Sequence, residues 1–211
     1  VTPQEVQFIS KKRLSTVPLA KIEGENRESL IAFAQKNGLY NAYPKLDAQV
    51  TVRDKDRRQE GSRYMRDVWI TPILSLVSEN KMEPLQEIEA VMFIICENTK
   101  SKYRTKKKEY QFKGKQKIKI PGVKKGGDQR TFEFDTIKLE FDEDRNRSNL
   151  GGWVYKYYLC MLTDPKTGDV ITYRTNFDRL EALLETTPAK QKACLEMRVG
   201  DDISRGFIGG G

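Results

Sequence analysis

The spacing of apolar and polar positions changes period several times along the chain, and each change marks an element. Leu30, Ile31 and Ala34 fall at helical spacing within Arg27–Asn37, with Asn26 as a cap and Gly38 as a stop, which predicts a first helix. After Pro44 the period becomes two. Leu46, Ala48, Val50 and Val52 alternate with Asp47, Gln49, Thr51 and Arg53, the pattern of a half-buried strand. A polar loop is expected over Asp54–Ser62, then an extended run over Tyr64–Val77 containing Trp69. Pro72 sits inside that run, and a residue without a backbone N–H belongs at an edge, a bulge or a break. Glu83–Cys96 fits both periods: Leu85, Ile88, Val91, Met92 and Ile95 suit a helix, whereas Val91–Cys96 reads as a buried strand at its end.

The last third is richer in strands. In Thr131–Asp142 the residues Phe132 and Phe134 share one phase and Ile137, Leu139 and Phe141 the other, so a bulge is expected at Asp135-Thr136. Gly151-Gly152 introduces a strand over Trp153–Asp164, and a turn through Asp164–Asp169 leads to a return strand over Val170–Phe177. Asp178–Thr187 reads as a short helix ended before Pro188. Ala193, Leu195, Met197 and Val199 then alternate with polar neighbours as a further strand, followed by a turn at Gly200-Asp201 and an extended Ile203–Ile208. The element order over residues 128–210 resembles the OB-fold plan, an antiparallel barrel with a helix between its third and fourth strands. The resemblance rests on element order alone; an antiparallel sandwich with one inserted helix fits the same order. The expected class is therefore mainly β, β-rich α+β. Its expected segments are an N-terminal β-rich part with one helix (1–98), a lysine-rich segment (99–127) and an OB-like part (128–211).

Charge changes the picture more than overall composition does. The chain of 211 residues carries a formal net charge of +8. That charge is concentrated in residues 100–125, where twelve basic side chains face one acid, Glu109. They are Lys100, Lys102, Arg104, Lys106, Lys107, Lys108, Lys113, Lys115, Lys117, Lys119, Lys124 and Lys125. The segment is thus +11 and the remainder of the chain −3. Such crowding repels itself unless an anion lies against it. The bland alternative is a solvated loop or a lysine-bearing edge strand that resists sheet-to-sheet aggregation. Tyr103, Tyr110 and Phe112 are interleaved with the lysines and could offer flat faces to unstacked bases. Lys117-Ile118-Lys119-Ile120 alternates as a strand does, with Lys on one face and Ile on the other. On the next long strand Trp153, Tyr155 and Tyr157 are spaced by two, a stacking platform if exposed and core filling if not. Tyr173 and Arg174 would extend that surface.

The sequence contains no histidine, so histidine-based nucleophile pairs, general bases and metal ligands are excluded. Cys96, Cys160 and Cys194 are odd in number, far apart and set in apolar runs, which predicts reduced core thiols and a cytoplasmic or nuclear, reducing compartment. No stretch approaches the length of a membrane span, and no signal peptide opens the chain. The first residue is Val1 rather than Met, as a processed or trimmed start would leave it. No phosphate-binding glycine motif, dinucleotide fingerprint or zinc spacing occurs, so no cofactor and no metal are expected. A GIY-YIG nuclease module over Trp153–Glu185 fails because Thr172-Tyr173-Arg174 stands where its second motif belongs.

The function expected is a non-enzymatic protein that coats single-stranded DNA in replication, recombination or repair, in a cellular, phage or viral setting. The same features fit RNA, and the oligomeric state is left open. Two other classes are weighed beside it. One is a Mg²⁺-dependent nuclease using Glu140, Asp142 and Lys138 within the acidic cluster of Glu133, Asp135, Glu140, Asp142, Glu143 and Asp144. The other is a viral structural or assembly protein whose basic segment meets an acidic partner.

Overall fold

The computed structural model describes residues 5–10, 13–18, 21–36, 43, 46–61, 64–78, 85–99, 108–123, 128–142 and 151–203. Over these residues the protein is mainly β, with an antiparallel sheet and three helices. Two compact units are formed, one from Val1–Asp47, Val77–Gln86 and Gly122–Asp128, the other from Ala48–Leu76, Glu87–Pro121 and Gln129–Gly211.

The first unit contains a hairpin of β1 (Glu5–Ser10) and β2 (Arg13–Pro18) and the helix α1 (Gly24–Lys36). The helix begins earlier than the pattern implies. The Arg27 N–H donates to the Glu23 carbonyl at 2.8 Å, so Asn26 lies within the first turn rather than capping it. Gly38 is outside the described residues. A short bridge joins Leu85 and Val123 through two backbone hydrogen bonds of 2.9 and 2.8 Å.

The second unit holds the larger sheet, and two of its strands begin or end in the first unit. Its strands run in the order β3 (Leu46–Arg58), β4 (Met65–Ser78), β8 (Ile137–Asp142), β9 (Gly151–Thr163), β5 (Ile88–Asn98) and β6 (Tyr110–Ile120). A further strand, β7 (Arg130–Glu133), pairs with β4, and β10 (Val170–Thr175) pairs with β9. Strand β3 runs five residues into the stretch expected to be loop. Charge pairing offsets its low β propensity: Arg66 on β4 holds Asp56 through both Nε, at 2.8 Å, and Nη2, at 2.5 Å. The Gln59 N–H then donates to the Met65 carbonyl at 2.9 Å, closing the hairpin.

Pro72 and the phase change at Asp135-Thr136 prove to be the same event. Strand β4 pairs Ile70 with Ile137 and Ile73 with Glu133, so the partner ribbon contains one extra residue between β8 and β7. Pro72 has no N–H to give there, but its carbonyl accepts from the Phe134 N–H at 3.0 Å.

The ambiguous stretch resolves as strand β5, which is central and buried on both faces. One face carries Val91, Phe93 and Ile95, which join Leu159 and Met161 of β9 and the side chains of two helices: Leu180 and Leu184 of α2 (Asp178–Thr186), and Cys194 of α3 (Pro188–Glu196). The opposite face carries Ala90, Met92, Ile94 and Cys96. There the side chain of Ile137 fills the position that a Cβ on Gly114 would take, so glycine lets β8 approach β6.

The described strands form a sheet that is not closed into a barrel; the helix expected after the return strand is present as α2, but among the described residues no strand follows it. The strand expected over 193–199 is instead largely the helix α3. Pro188 stands in its first turn, where a missing N–H costs nothing, and Ala189–Ala193 are almost all strong helix formers. The extended run expected through Ile208 lies beyond the described residues.

Candidate nucleic-acid interface

The residues expected to form one basic and aromatic track are distributed by the fold into different roles. Lys100, Lys102, Arg104, Lys106 and Lys107 lie outside the described residues, as do Lys124 and Lys125. The Asn98 N–H donates to the Glu109 carbonyl at 2.9 Å, so β5 and the start of β6 are joined at the residues that flank 100–107 in sequence. Lys108 at its end is exposed.

Strand β6 then divides. Tyr110 and Phe112 face inward and are 7% and 0% exposed, so neither ring is open to a base. Phe112 lies 4.8 Å from Phe93, and Tyr110 meets Phe177 edge-on at 5.3 Å. Burial pushes the Tyr110 hydroxyl up to about 12. Lys113 is the extra residue of a bulge between Ile94 and Ile95 of β5, and its ammonium lies 3.7 Å from the centre of the Trp153 ring. Desolvation holds the Lys113 pKa below the usual lysine value.

Lys115 serves the fold. Its ammonium donates to the carbonyls of Leu195 at 2.6 Å and Met197 at 2.7 Å, where α3 ends and its carbonyls lack partners. Lys117 pairs with Glu89 at 2.8 Å while staying exposed, and Lys119 is exposed.

The three aromatics of β9 do not share a face. Tyr157 stands opposite Ile95 and Tyr155 opposite Cys96, so one residue of β5 spans two of β9 and Lys156 is extra. Tyr157 therefore turns into the helix-covered core, stacked on Phe177 at 4.0 Å. Tyr155 and Trp153 turn to the other face, where Tyr155 is hydrogen-bonded to the Asn176 side chain and burial raises its pKa to about 12. Trp153 stays half-buried. Tyr173 packs partly against the helix-side core. Arg174 spends its Nε on the Ala48 carbonyl at 3.0 Å and Nη1 on the Tyr173 carbonyl at 3.1 Å.

Among the acidic residues, Lys138 lies 3.0 Å from Asp67 and 3.5 Å from Glu140, and Glu133 pairs with Arg53 at 2.8 Å. Glu143 and Asp144 lie outside the described residues. Among the described residues no three acidic or cysteine side chains converge as metal ligands, and no helix is long and apolar enough to cross a membrane.

Sequence reasoning missed Glu97. It is 5% exposed, its Oε1 has no hydrogen-bond partner, and its Oε2 lies 3.9 Å from the Lys156 ammonium. A glutamate inside an apolar strand was the available signal.

No protein-family model and no curated protein matches the chain. A solved structure of a protein from Akkermansia muciniphila covers 63% of this chain and 71% of its own, at 9% identity and a TM-score of 0.28. That likeness is too slight to carry fold or function across.

Proposed function

We propose that this protein binds single-stranded nucleic acid without turning it over, and that the contact centres on Trp153, Lys113 and Lys108 beside segment 100–107. The supporting observation is the Lys113–Trp153 pair at 3.7 Å, set where the most basic part of the chain joins the sheet. A half-buried indole with an ammonium at its face offers a base a stacking surface beside a charge for its phosphate. Lys117 and Lys119 add charge further along β6, whereas Tyr110, Phe112, Lys115 and Tyr157 act through the fold. DNA coating in replication, recombination or repair is the setting this reading favours, with RNA as the alternative polymer. An OB-like barrel is not required by it.

The test is a salt titration of poly(dT) binding followed by tryptophan fluorescence, with Trp69→Phe and Trp153→Phe separating the two indoles. The Trp69→Phe protein should still be quenched and the Trp153→Phe protein should not. Replacing Lys106–Lys108 by Ser should reduce the slope of log K against log salt by about 2, at about 0.7 per phosphate contact on single strands. Absence of oligonucleotide binding at low salt, or Mg²⁺-dependent cleavage of the strand, would overturn the proposal.

A further inference from the structure

The four strands β10, β9, β5 and β6 form a ribbon whose two outer edges carry opposite charge. Among the described residues β10 pairs only with β9, and Lys115–Ile120 of β6 pair only with β5. The other half of the β6 edge is already covered: Gly200 N–H donates to the Phe112 carbonyl at 2.7 Å and Phe112 N–H to the Asp201 carbonyl at 3.3 Å.

The β10 edge opens on a cavity of about 270 Å³ lined by Thr172, Tyr173, Glu181, Glu185, Gln191 and the cation Arg174, whose Nε and Nη1 are held by the Ala48 and Tyr173 carbonyls. Glu181 and Glu185 stand one turn apart on α2, both exposed, and have no ion pair among the described residues. On the far edge Lys117 and Lys119 stand opposite Val91 and Glu89, which puts them on the face of the sheet that α2 and α3 cover. Both charge pairs therefore project to the same side. Their spacings also agree, at about 6 Å for four residues of helix and about 7 Å for two residues of strand.

Direction agrees too. Every pairing from β10 to β6 is antiparallel, so β6 and β10 run in opposite directions. A second copy displaced sideways in the plane of the sheet thus brings its β6 antiparallel to the first copy's β10. We propose that copies of this chain associate head to tail, the Lys115–Ile120 edge of one adding to the β10 edge of the next, with Lys117 and Lys119 seated against Glu181 and Glu185. Lys117, itself exposed, exchanges its half-buried intramolecular partner Glu89 for the neighbour's carboxylates. Lysines on β6 repel a second β6, so they select the acidic edge. A contact between unlike edges is heterologous, so each added copy leaves both kinds of edge free at the ends and the series grows until a ring closes. This association is a property of the protein alone and does not depend on nucleic-acid binding.

Sedimentation velocity of the full chain, without nucleic acid, tests it. The wild type should sediment as a concentration-dependent series at low salt and revert to monomer at about 0.5 M salt, where screening acts within a few ångströms. Glu181→Lys with Glu185→Lys should be monomeric, and so should Lys117→Glu with Lys119→Glu. An equimolar mixture of these two variants should associate again, because each edge then finds its opposite in the other protein. That recovery also establishes that both variants are folded. A wild type that stays monomeric at every concentration, or association that the charge reversals leave unchanged, would overturn the proposal.

Discussion

Gly114 is the position where one atom decides whether two layers fit. The Ile137 side chain already occupies the space of a Gly114 Cβ, with the Ile94 Cβ 3.5 Å from the same point. Gly114→Ala should therefore destabilise by about 1–3 kcal/mol, the usual cost of overpacking a core. Ile137→Val removes the methyl that collides and should recover part of the loss. A urea-unfolding double-mutant cycle checks this, and additive effects would sink it. Glu97 presents the complementary case of a charge placed where packing is dense. Its buried carboxylate relies on Lys156 at 3.9 Å, so Lys156→Ala should cost about 1–3 kcal/mol, well above the near-zero effect of Lys119→Ala. Equal midpoints for the two variants would remove Lys156 from that role.

At the scale of elements, the lysines of β6 are separable by what each ammonium touches. Lys115 caps the carbonyl end of α3, so Lys115→Met should lower stability by about 1–3 kcal/mol while leaving the salt slope of oligonucleotide binding nearly unchanged. Lys108→Ser should do the reverse. Denaturant midpoints and salt titrations on the same two proteins distinguish them, and a Lys115→Met protein of normal stability would refute the capping role. Such division of labour was not legible in the sequence, because a lysine bonded to distant carbonyls and a solvated lysine have the same one-dimensional context. Other features were legible. The phase change at Asp135-Thr136 located the extra residue opposite Pro72, since both consequences of a bulge are local. The bulge at Lys156 left no such mark: Trp153, Tyr155 and Tyr157 are aromatic on either side of it, and only pairing with β5 reveals that their faces differ. The helix α3 was misread because four alternating apolar residues outweighed the propensity of Ala189–Ala193 and the Pro that opens it.

Across the whole molecule, the mainly β class and the core placement of the cysteines followed from patterning, while closure of the sheet depended on long-range pairings that patterning does not encode. All three cysteines are free and buried. Burial pushes the thiols of Cys96, Cys160 and Cys194 up to about 12, from an ordinary value of 9.0. A native pKa raised above the unfolded one gives stability that is complete below about pH 9 and is lost as pH climbs toward 12. In that window the unfolded chain releases thiol protons that the native chain retains, so unfolding is favoured by up to about 1.4 kcal/mol per pH unit for each thiol. Tyr110 and Tyr155, each raised from 10.0 to about 12, steepen the loss in the upper part of the range. Urea midpoints should therefore fall steadily between about pH 9 and 11, and Cys160→Val should flatten the fall without removing it. A disulfide reagent should leave all three thiols unmodified in the native protein and react with them after denaturation. Rapid native labelling, or stability independent of pH across that window, would mean that the layers packed around β5 are open to solvent.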